Sequence, residues 1–190
     1  MTRTAYGSRK HPANTRPCHT AQPGRYSERC AFTGYRPQKM PLGEDENCPT
    51  CMAYKALLTE KIEQLIEKGY GHFISGGAMG VDTWAVEAVL KLKEKHSWIL
   101  LEMVSLFDDQ AKSWTVEYRQ RHDSLFKKAD IVTATSNSFY RGCYHKRNRY
   151  MVDNADVVLA CFDGKAGGTE VTMDYAEKNE VPVMILPPTT

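Results

Sequence analysis

The sequence predicts an α/β fold of three layers, in which a mostly parallel sheet carries helices on both faces. Short apolar segments that fit strands alternate with longer segments of helical periodicity between residues 30 and 187. Residues 157–160 form an uninterrupted apolar run, which is typical of a strand covered on both faces. Strand–helix alternation of this kind implies right-handed crossovers between parallel strands. Because such sheets bind ligands at the carboxyl ends of their strands, a site is expected in the loops that follow the strands.

Each element is predicted from its own local pattern. Short apolar runs that end in glycine or a polar turn predict strands at residues 30–34, 72–75, 99–105, 131–133, 156–162 and 183–186. Apolar residues spaced three and four apart predict helices at residues 52–68, 81–95, 116–127, 145–154 and 169–178. Gly69 follows the first of these helices, as glycine often does at a helix end. A loop rich in proline and glycine is expected up to about Pro49.

Composition indicates a globular protein with a basic N-terminal tail. The chain has 190 residues, of which 42% are hydrophobic and 25% charged, so it can form a core. No apolar stretch approaches the ~18–20 residues that a membrane helix needs, and no secretory signal is evident, so a cytoplasmic protein without a membrane partner is expected. Residues 1–29 hold six basic side chains, one acidic side chain and few aliphatic ones, which predicts a flexible tail, or alternatively a nucleic-acid-binding arm. The other residues hold 19 basic and 22 acidic side chains, and this balance gives no hint of a strongly basic face.

Three loops that follow predicted strands carry unusual residues. They are residues 33–37 (TGYRP), residues 75–82 (SGGAMGVD, the first glycine loop) and residues 163–169 (DGKAGGT, the second glycine loop). Glycines let a backbone approach a ligand closely, and the helix that follows each glycine loop presents N–H groups that favour anions. Neither loop has the spacing of a nucleoside-triphosphate loop or a dinucleotide fingerprint. Tight strand-to-helix turns alone would explain either loop, but two at equivalent places favour a phosphate or carboxylate cradle.

A basic and aromatic segment adds a fourth element. Residues 139–151 contain four Lys or Arg and four aromatic side chains within 13 positions. Arginine can pair bidentately with phosphate, and tyrosine can stack on a base. The alternative is an amphipathic helix whose aromatic residues pack on the sheet. Arg147 is the residue of this segment that we expect at a ligand site, whereas the neighbouring His145 is expected to be structural or exposed.

These motifs together resemble the SLOG superfamily and its YpsA-like branch. The resemblance rests on the first glycine loop, on residues 147–153 (RNRYMVD), on Gly167, Gly168 and Thr169, and on the TGYRP segment, which points to the YpsA-like branch. It covers residues 30–186 in the same order. It implies a Rossmann-like fold, related to DNA-processing protein A and to the lysine-decarboxylase-like LOG enzymes, and a nucleotide or nucleotide-derived ligand bound by a sensor or regulatory module. The ligand-binding residues expected on this basis are Gly34, Tyr35, Arg36, Ser75, Gly76, Gly77, Gly80, Asp82, Arg147, Gly167, Gly168 and Thr169, with phosphate on the glycine loops and the base against Tyr35.

Departures from the LOG motif leave catalysis open. LOG enzymes carry a Pro-Gly-Gly-x-Gly-Thr-x-x-Glu motif with a catalytic Glu, and the corresponding position here is Thr172. An N-glycosidic hydrolase would need another carboxylate, for which Glu170, Glu87 and Asp82 are the candidates. For Asp82 a helix-dipole contact and a ribose contact are both open, and for Glu87 surface solvation is the alternative. A third class is a single-stranded nucleic-acid binder that uses Arg141, Lys146, Arg147 and Arg149 with their interleaved tyrosines. SLOG relatives commonly self-associate, so a homo-oligomer is compatible with the resemblance.

Six cysteines include one Cys-x-x-Cys pair, Cys48 and Cys51. A structural zinc normally has four ligands, and no second pair exists, so no metal site and no cofactor beyond the nucleotide-type ligand are predicted. Two reduced thiols in a loop are the simplest interpretation. A metal shared between two copies, or completed by Cys18 or a histidine, is the alternative. Cys161 is expected in the core.

Overall fold

The computed structural model describes residues 27–43, 45–107 and 110–188. Within them, six parallel strands form one sheet in the order β4-β3-β2-β1-β5-β6. The strands are β1 (Glu28–Thr33), β2 (Tyr70–Ser75), β3 (Leu100–Ser105), β4 (Ile131–Ala134), β5 (Val157–Ala160) and β6 (Val183–Ile185). The helices are α1 (Pro49–Glu67), α2 (Val81–Lys93), α3 (Val116–Lys128), α4 (Cys143–Asp153) and α5 (Gly168–Lys178), with a short 3-10 helix at Pro37–Lys39. The predicted three-layer, Rossmann-like α/β fold is confirmed.

The strand order reverses at β1. The chain runs outward from β1 to β4, then returns to lay β5 on the other side of β1, so that β1 pairs with both β2 and β5. Loops that leave the carboxyl ends of β1 and β5 therefore diverge toward opposite faces of the sheet. Divergence of this kind opens a crevice above the strand ends, which is where doubly wound sheets bind ligands.

Two apolar clusters fill the spaces between the layers. The larger one packs α1, α2 and the end of α3 on one face, where Phe32 of β1 and Phe73 of β2 stack with ring centroids 5.9 Å apart. The smaller one packs α4 and α5 on the other face, with Met151, Val152 and Ala176 against alternate strand residues. Because side chains alternate across a strand, the same strands supply both clusters. The predicted core position of Cys161 is confirmed, since this residue is buried.

Element boundaries differ from the predicted ones by a few residues. β1 begins at Glu28 because the backbone of Arg29 bonds to Asp156, whose carboxylate accepts from Arg29 N at 2.8 Å. The last two residues of the predicted tail therefore belong to the sheet, and its residues 1–26 lie outside the described part. α1 begins at Pro49, three residues early, because Cys48 caps it. β5 ends at Ala160 rather than 162 because the chain turns there into the second glycine loop. In the part of the chain that the structure describes, no helix combines the length and apolarity needed to cross a bilayer.

Candidate ligand site at the carboxyl ends of the strands

The first glycine loop packs directly against the segment that follows β1. Gly80 has a φ of 89°, and a Cβ on it would lie 2.4 Å from the carbonyl oxygen of Tyr35. The same carbonyl accepts a hydrogen bond of 3.1 Å from the N–H of Val81, the first residue of α2. A Cβ on Gly34 would likewise lie within 3 Å of the Val81 side chain. The glycines at these two positions therefore let α2 start against the TGYRP segment and bring Arg36 beside the loop.

Asp82 holds the first glycine loop in its conformation. Its Oδ2 accepts from the N–H of Ala78 at 3.3 Å, and its backbone carbonyl accepts from the Ser75 hydroxyl at 3.2 Å. Ser75 Oγ in turn accepts from Gly77 N at 3.2 Å. Burial raises the pKa of Asp82, although Arg147, the Ala78 N–H and Arg36 oppose the rise. Asp82 is therefore a buried carboxylate whose charged form Arg147 and Arg36 favour.

Arg147 of α4 reaches across the sheet end to the first glycine loop. Its side chain is buried, and NH1 donates to the carbonyl oxygen of Gly76 at 3.0 Å. Nε and NH2 both donate to Oδ1 of Asn148, at 3.2 and 3.0 Å. A Cβ on Gly76 would lie 2.6 Å from Arg147 Cζ. Gly76 therefore serves to leave room for this guanidinium rather than to adopt a special backbone conformation.

Asn148 and Thr172 extend this contact to the second glycine loop. Asn148 Nδ2 donates to Thr172 Oγ1 at 2.8 Å, and the Thr172 hydroxyl donates to the carbonyl oxygen of Gly168 at 2.8 Å. Through Arg147 and Asn148, one hydrogen-bonded chain thus joins both glycine loops. Thr172, at the position of the LOG glutamate, is occupied in this chain as both donor and acceptor. Its hydroxyl has a positioning role here that a carboxylate, which cannot donate when ionised, would not reproduce.

The second glycine loop presents the first turn of α5. Gly167 N donates to Glu170 Oε2 at 3.4 Å. Within the described residues, the N–H groups of Gly168 and Thr169 have no hydrogen-bond acceptor. Lys39 Nζ lies 3.7 Å from the point where a Cβ on Gly167 would be. This helix terminus therefore offers two backbone donors beside a lysine, although the Glu170 carboxylate already occupies a third donor.

Tyr35 joins the loops after β1 and β5. Its hydroxyl donates to Asp163 Oδ1 and accepts from Asp163 N at 3.3 Å, and its ring stacks on Phe162 with centroids 6.3 Å apart. The Tyr35 hydrogen bond is the main cause that lowers the pKa of Asp163. Because the Tyr35 ring is buried, its placement does not support the expectation that a base lies against it. Tyr144 is an exposed ring at this end of the sheet, and Arg36 Cζ lies 5.5 Å from its centroid.

Arg36 and Arg147 converge on one small cleft. Its lining consists of Arg36, Ala78, Leu106, Gln110, Trp114, Tyr144 and Arg147. Burial lowers the pKa of Arg147; Asp82 opposes this effect and Arg36 adds to it. Two cationic side chains therefore line the same cleft.

The sequence reasoning missed one wall of this cleft. The missed wall is the segment between β3 and α3, where Gln110 accepts from Leu106 N at 2.7 Å and lies 2.8 Å from His122 Nε2. Trp114 packs edge-on against the His122 ring, 5.2 Å between centroids. Trp114 and Gln110 follow a predicted strand and could have indicated a site there. Because this loop contains no glycines, no site residue was predicted in it. The chemistry of the cleft therefore includes an indole and an amide as well as guanidinium groups.

The carboxylates considered for catalysis are each bound within the protein. Glu87 lies outside the cleft lining, because both of its oxygens accept from Arg121 of α3, at 2.7 and 2.8 Å. Glu170 caps α5, and Asp82 closes the first glycine loop. The structure therefore places Asp82 in the first glycine loop, Glu170 at the start of α5 and Glu87 in an ion pair with Arg121, and none of the three lines the cleft. Among the described residues, no group of three or more potential ligands is placed to hold a metal ion.

The outer face of α4 forms a second, open depression. This α4 groove, of about 600 Å³, is lined by Tyr140, Gly142, His145, Lys146, Arg149, Tyr150 and Asp153. Lys146, Arg149 and the adjacent Arg141 are exposed, and Arg149 Cζ lies 5.2 Å from the ring centroid of Tyr175. The basic segment is thus divided by the helix. Arg147 faces the glycine loops, whereas the other three cations predicted to bind nucleic acid face solvent.

Two solved structures of DNA processing protein A resemble the fold. The Helicobacter pylori protein, described for its single-stranded DNA binding mode, aligns with a TM-score of 0.59 and 20% identity over 85% of this chain. The Streptococcus pneumoniae protein aligns with a TM-score of 0.57 and 17% identity, also over 85% of this chain. This chain spans 66% and 50% of the lengths of those two proteins. At these identities the likeness shows the fold alone.

Sequence comparisons are more specific. The chain is 31% identical over 143 residues to the SPbeta prophage-derived protein YoqJ of Bacillus subtilis (strain 168), which covers 68% of this chain and 84% of YoqJ. It is 26% identical over 156 residues to a UPF0398 protein of Macrococcus caseolyticus, an alignment that covers 78% of this chain and 84% of that protein. It is 29% identical over 152 residues to the UPF0398 protein BH1768 of Halalkalibacterium halodurans, and this alignment covers 78% of this chain and 80% of that protein. A family model described as the YspA SLOG family, YpsA, matches residues 30–188. The resemblance noted in the motifs is thereby confirmed, and the chain belongs to the YpsA family of SLOG proteins.

Proposed function

We propose that this protein binds a nucleotide or nucleotide-derived ligand at the mouth of the cleft between the first glycine loop and α4, as a sensor or regulatory module. The observation that carries the proposal is the convergence of Arg36 and Arg147 on the turn at Ala78. Both guanidinium groups carry positive charge, and both oppose the rise that burial causes in the pKa of Asp82. A phosphate would add negative charge beside these two side chains and accept bidentate hydrogen bonds from a guanidinium group.

Backbone donors support the same chemistry. The N–H groups of Gly168 and Thr169 at the start of α5 lie without protein acceptors in the described chain, and Lys39 lies nearby. A helix N-terminus carries a partial positive charge that favours phosphate. The chain of hydrogen bonds from Gly76 through Arg147 to Gly168 keeps the two loops in register before a ligand arrives. A ligand with two phosphates, or a phosphate and a sugar, would suit two such loops.

Aromatic side chains at the mouth of the cleft favour a base-containing ligand. Tyr144 is exposed and already carries Arg36 on its face, and Trp114 is half-buried beside it. Base–aromatic stacking contributes about 1–3 kcal/mol per base. Because Tyr35 is buried, the base would rest on Tyr144 and Trp114 rather than on Tyr35.

A thermal-shift panel tests this proposal. The panel contains nucleoside mono- and diphosphates, ADP-ribose, NAD and cyclic nucleotides, each with the wild type, Arg36→Ala and Arg141→Ala. A ligand at 100 times its dissociation constant stabilises by about 2.7 kcal/mol, which is on the order of 5–10 °C here. We expect one compound to raise Tm in the wild type and in Arg141→Ala but not in Arg36→Ala, because only Arg36 lines the cleft. A shift that Arg36→Ala leaves unchanged would contradict the cleft as the site.

The α4 groove supports a second candidate, binding of single-stranded nucleic acid. Lys146, Arg149 and Tyr140 line the groove, and the exposed Arg141 adjoins Tyr140 in sequence, which is the combination of cations and stacking rings used for such strands. The fold likeness to a protein described for single-stranded DNA binding adds support. Oligonucleotide affinity should fall steeply with salt, and it should weaken in Arg141→Ala but not in Arg36→Ala. Affinity that hardly changes with salt would exclude this candidate, and the two variants separate it from the first.

A further inference from the structure

Cys48 and Cys51 stand at the N-terminus of α1, outside the cleft and the α4 groove. Cys48 is the N-cap residue, and its sulfur accepts from the N–H of Cys51 at 3.4 Å. Both sulfur atoms lie close to one oxygen, the carbonyl of Leu42, at 3.8 Å from Cys48 Sγ and 3.9 Å from Cys51 Sγ. The two thiols are therefore neighbours on the same helical turn and share one acceptor.

The two thiols differ in exposure and acidity. Cys48 is half-buried, whereas Cys51 and the other described cysteines, Cys30, Cys143 and Cys161, are buried. The hydroxyl of Thr50, 3.1 Å away, and the Cys51 N–H lower the pKa of Cys48. Burial, followed by the nearby Cys48, raises the pKa of Cys51 to about 11. An accessible thiol with a lowered pKa beside a buried thiol with a raised pKa is the arrangement in which one sulfur attacks and the other resolves.

We propose that Cys48 and Cys51 form a reversible disulfide by exchange with a low-molecular-weight disulfide, RSSR. The Cys48 thiolate attacks one sulfur of RSSR, the S–S bond breaks, and RS⁻ leaves. Cys51 then gives its proton to solvent and attacks Cys48 Sγ, which releases the second RS⁻. Both RS⁻ groups take up protons, so that two protein thiols are oxidised to one disulfide and RSSR is reduced to two RSH.

Oxidation would remove hydrogen bonds from the segment between β1 and α1. In the disulfide neither sulfur carries a hydrogen, so the buried Leu42 carbonyl loses both S–H donors. The turn beneath it is held by the N–H of Gly43, which donates to Met40 O at 3.1 Å. We expect hydrogen exchange at the Gly43 amide to be faster in the oxidised protein than in the reduced one. Equal exchange rates would overturn this link to Leu42.

Mass spectrometry of the full-length chain tests the disulfide itself. After treatment with oxidised glutathione, the tryptic peptide of residues 40–55, which contains both cysteines and no other, should lose two hydrogen atoms and regain them with dithiothreitol. Retention of both thiols under excess oxidised glutathione would overturn the proposal. So would a stable glutathione adduct on wild-type Cys48, because Cys51 should resolve it.

Variants in a Cys18→Ser background assign the two roles. Cys51→Ser should accumulate one glutathionyl group on Cys48, whereas Cys48→Ser should leave Cys51 unmodified over the same time. Cys161→Ser is the matched control and should behave like its parent, since its thiol is buried elsewhere in the core. Glutathionylation of Cys51 in Cys48→Ser at the parental rate would refute Cys48 as the attacking thiol. If Cys51→Ser does not fold, iodoacetamide labelling of the wild type tests whether Cys48 is the attacking thiol. Cys48 must then react before the other described cysteines, and earlier labelling of any of them would refute the assignment.

Discussion

Replacement of Gly76 by alanine should displace Arg147 from the first glycine loop. The new Cβ would lie 2.6 Å from Arg147 Cζ and 2.8 Å from both Nε and NH1. The guanidinium could move away only by giving up its bonds to the Gly76 carbonyl and to Asn148. Hydrogen bonds of a charged group contribute about 1.5–3 kcal/mol, and the alanine recovers about 0.4–1 kcal/mol by restricting the unfolded chain. We therefore expect a net loss of about 2 kcal/mol in the free energy of unfolding.

Two comparisons make this expectation specific. Gly168→Ala is the matched control, since a Cβ there meets no atom within 4 Å, and it should change stability by less than about 1 kcal/mol. Arg147→Ala removes the atoms with which the new Cβ collides, so Gly76→Ala should cost little in that background. The coupling in the double-mutant cycle should thus be about 2 kcal/mol.

Calorimetry or thermal unfolding measures the effect. For a chain of this length, 1 kcal/mol corresponds to roughly 2–4 °C, so Gly76→Ala should lower Tm by about 4–8 °C. Ligand stabilisation in the nucleotide panel should be lost as well, because the displaced Arg147 lines the cleft. Equal Tm losses from Gly76→Ala in the wild-type and Arg147→Ala backgrounds would refute the steric reasoning.

The remaining expectations concern pH and the close approach of two loops. Burial alone would raise the pKa of Glu46, but hydrogen bonds from Arg121, Lys55 and Trp84 outweigh it and lower the pKa to about 2. A carboxyl group whose pKa is lowered by folding stabilises the fold above about pH 4.5, and this stabilisation is lost as the pH falls toward about 2. Glu46→Gln should therefore lower the free energy of urea unfolding by up to about 3 kcal/mol at pH 7 and by clearly less at pH 3. An equal loss at both pH values would contradict the lowered pKa of Glu46. Gly80→Ala and Gly164→Ala both place a side chain at positive φ, at 89° and 93°, and should each lose about 1–2 kcal/mol for backbone strain. Only Gly80→Ala also collides with backbone, 2.4 Å from Tyr35 O, so it should cost at least about 1 kcal/mol more, and similar costs for the two variants would count against the packing described.

Local patterns in the sequence were sufficient for the fold. The apolar run at Val157–Ala160 and the helical spacing of Leu58, Ile62 and Leu65 predicted elements that the structure contains, because burial on a sheet or a helix face imposes a period on the chain. The glycine loops were found for the same kind of reason, since the close approach at Gly80 excludes any side chain. Boundaries were less accurate where a contact distant in sequence extends or ends an element, as Asp156 does for Arg29.

The site was predicted only in part. Arg36 and Arg147 do meet the first glycine loop, but Tyr35 is turned inward to Asp163 and Phe162, and Tyr144 is exposed at the cleft instead. Thr172 is one link in a chain of hydrogen bonds, a role that a motif comparison showed only as a missing glutamate. A pattern of residue types does not state which way a side chain points, because orientation depends on the elements packed around it.

The sequence by itself therefore determined the order of the elements, the parallel sheet and the loops at its carboxyl end. Periodicity and glycine placement are local properties of the chain, and so they can be read without coordinates. Only the tertiary structure decided which charges share a cleft. Arg147 and Gly76 are separated by 71 positions, and their contact exists because the strand order reverses at β1 and the chain crosses back from β4 to β5 through α4. The same crossing divides the basic segment, since one helix face turns Arg147 inward and leaves Lys146 and Arg149 in solvent.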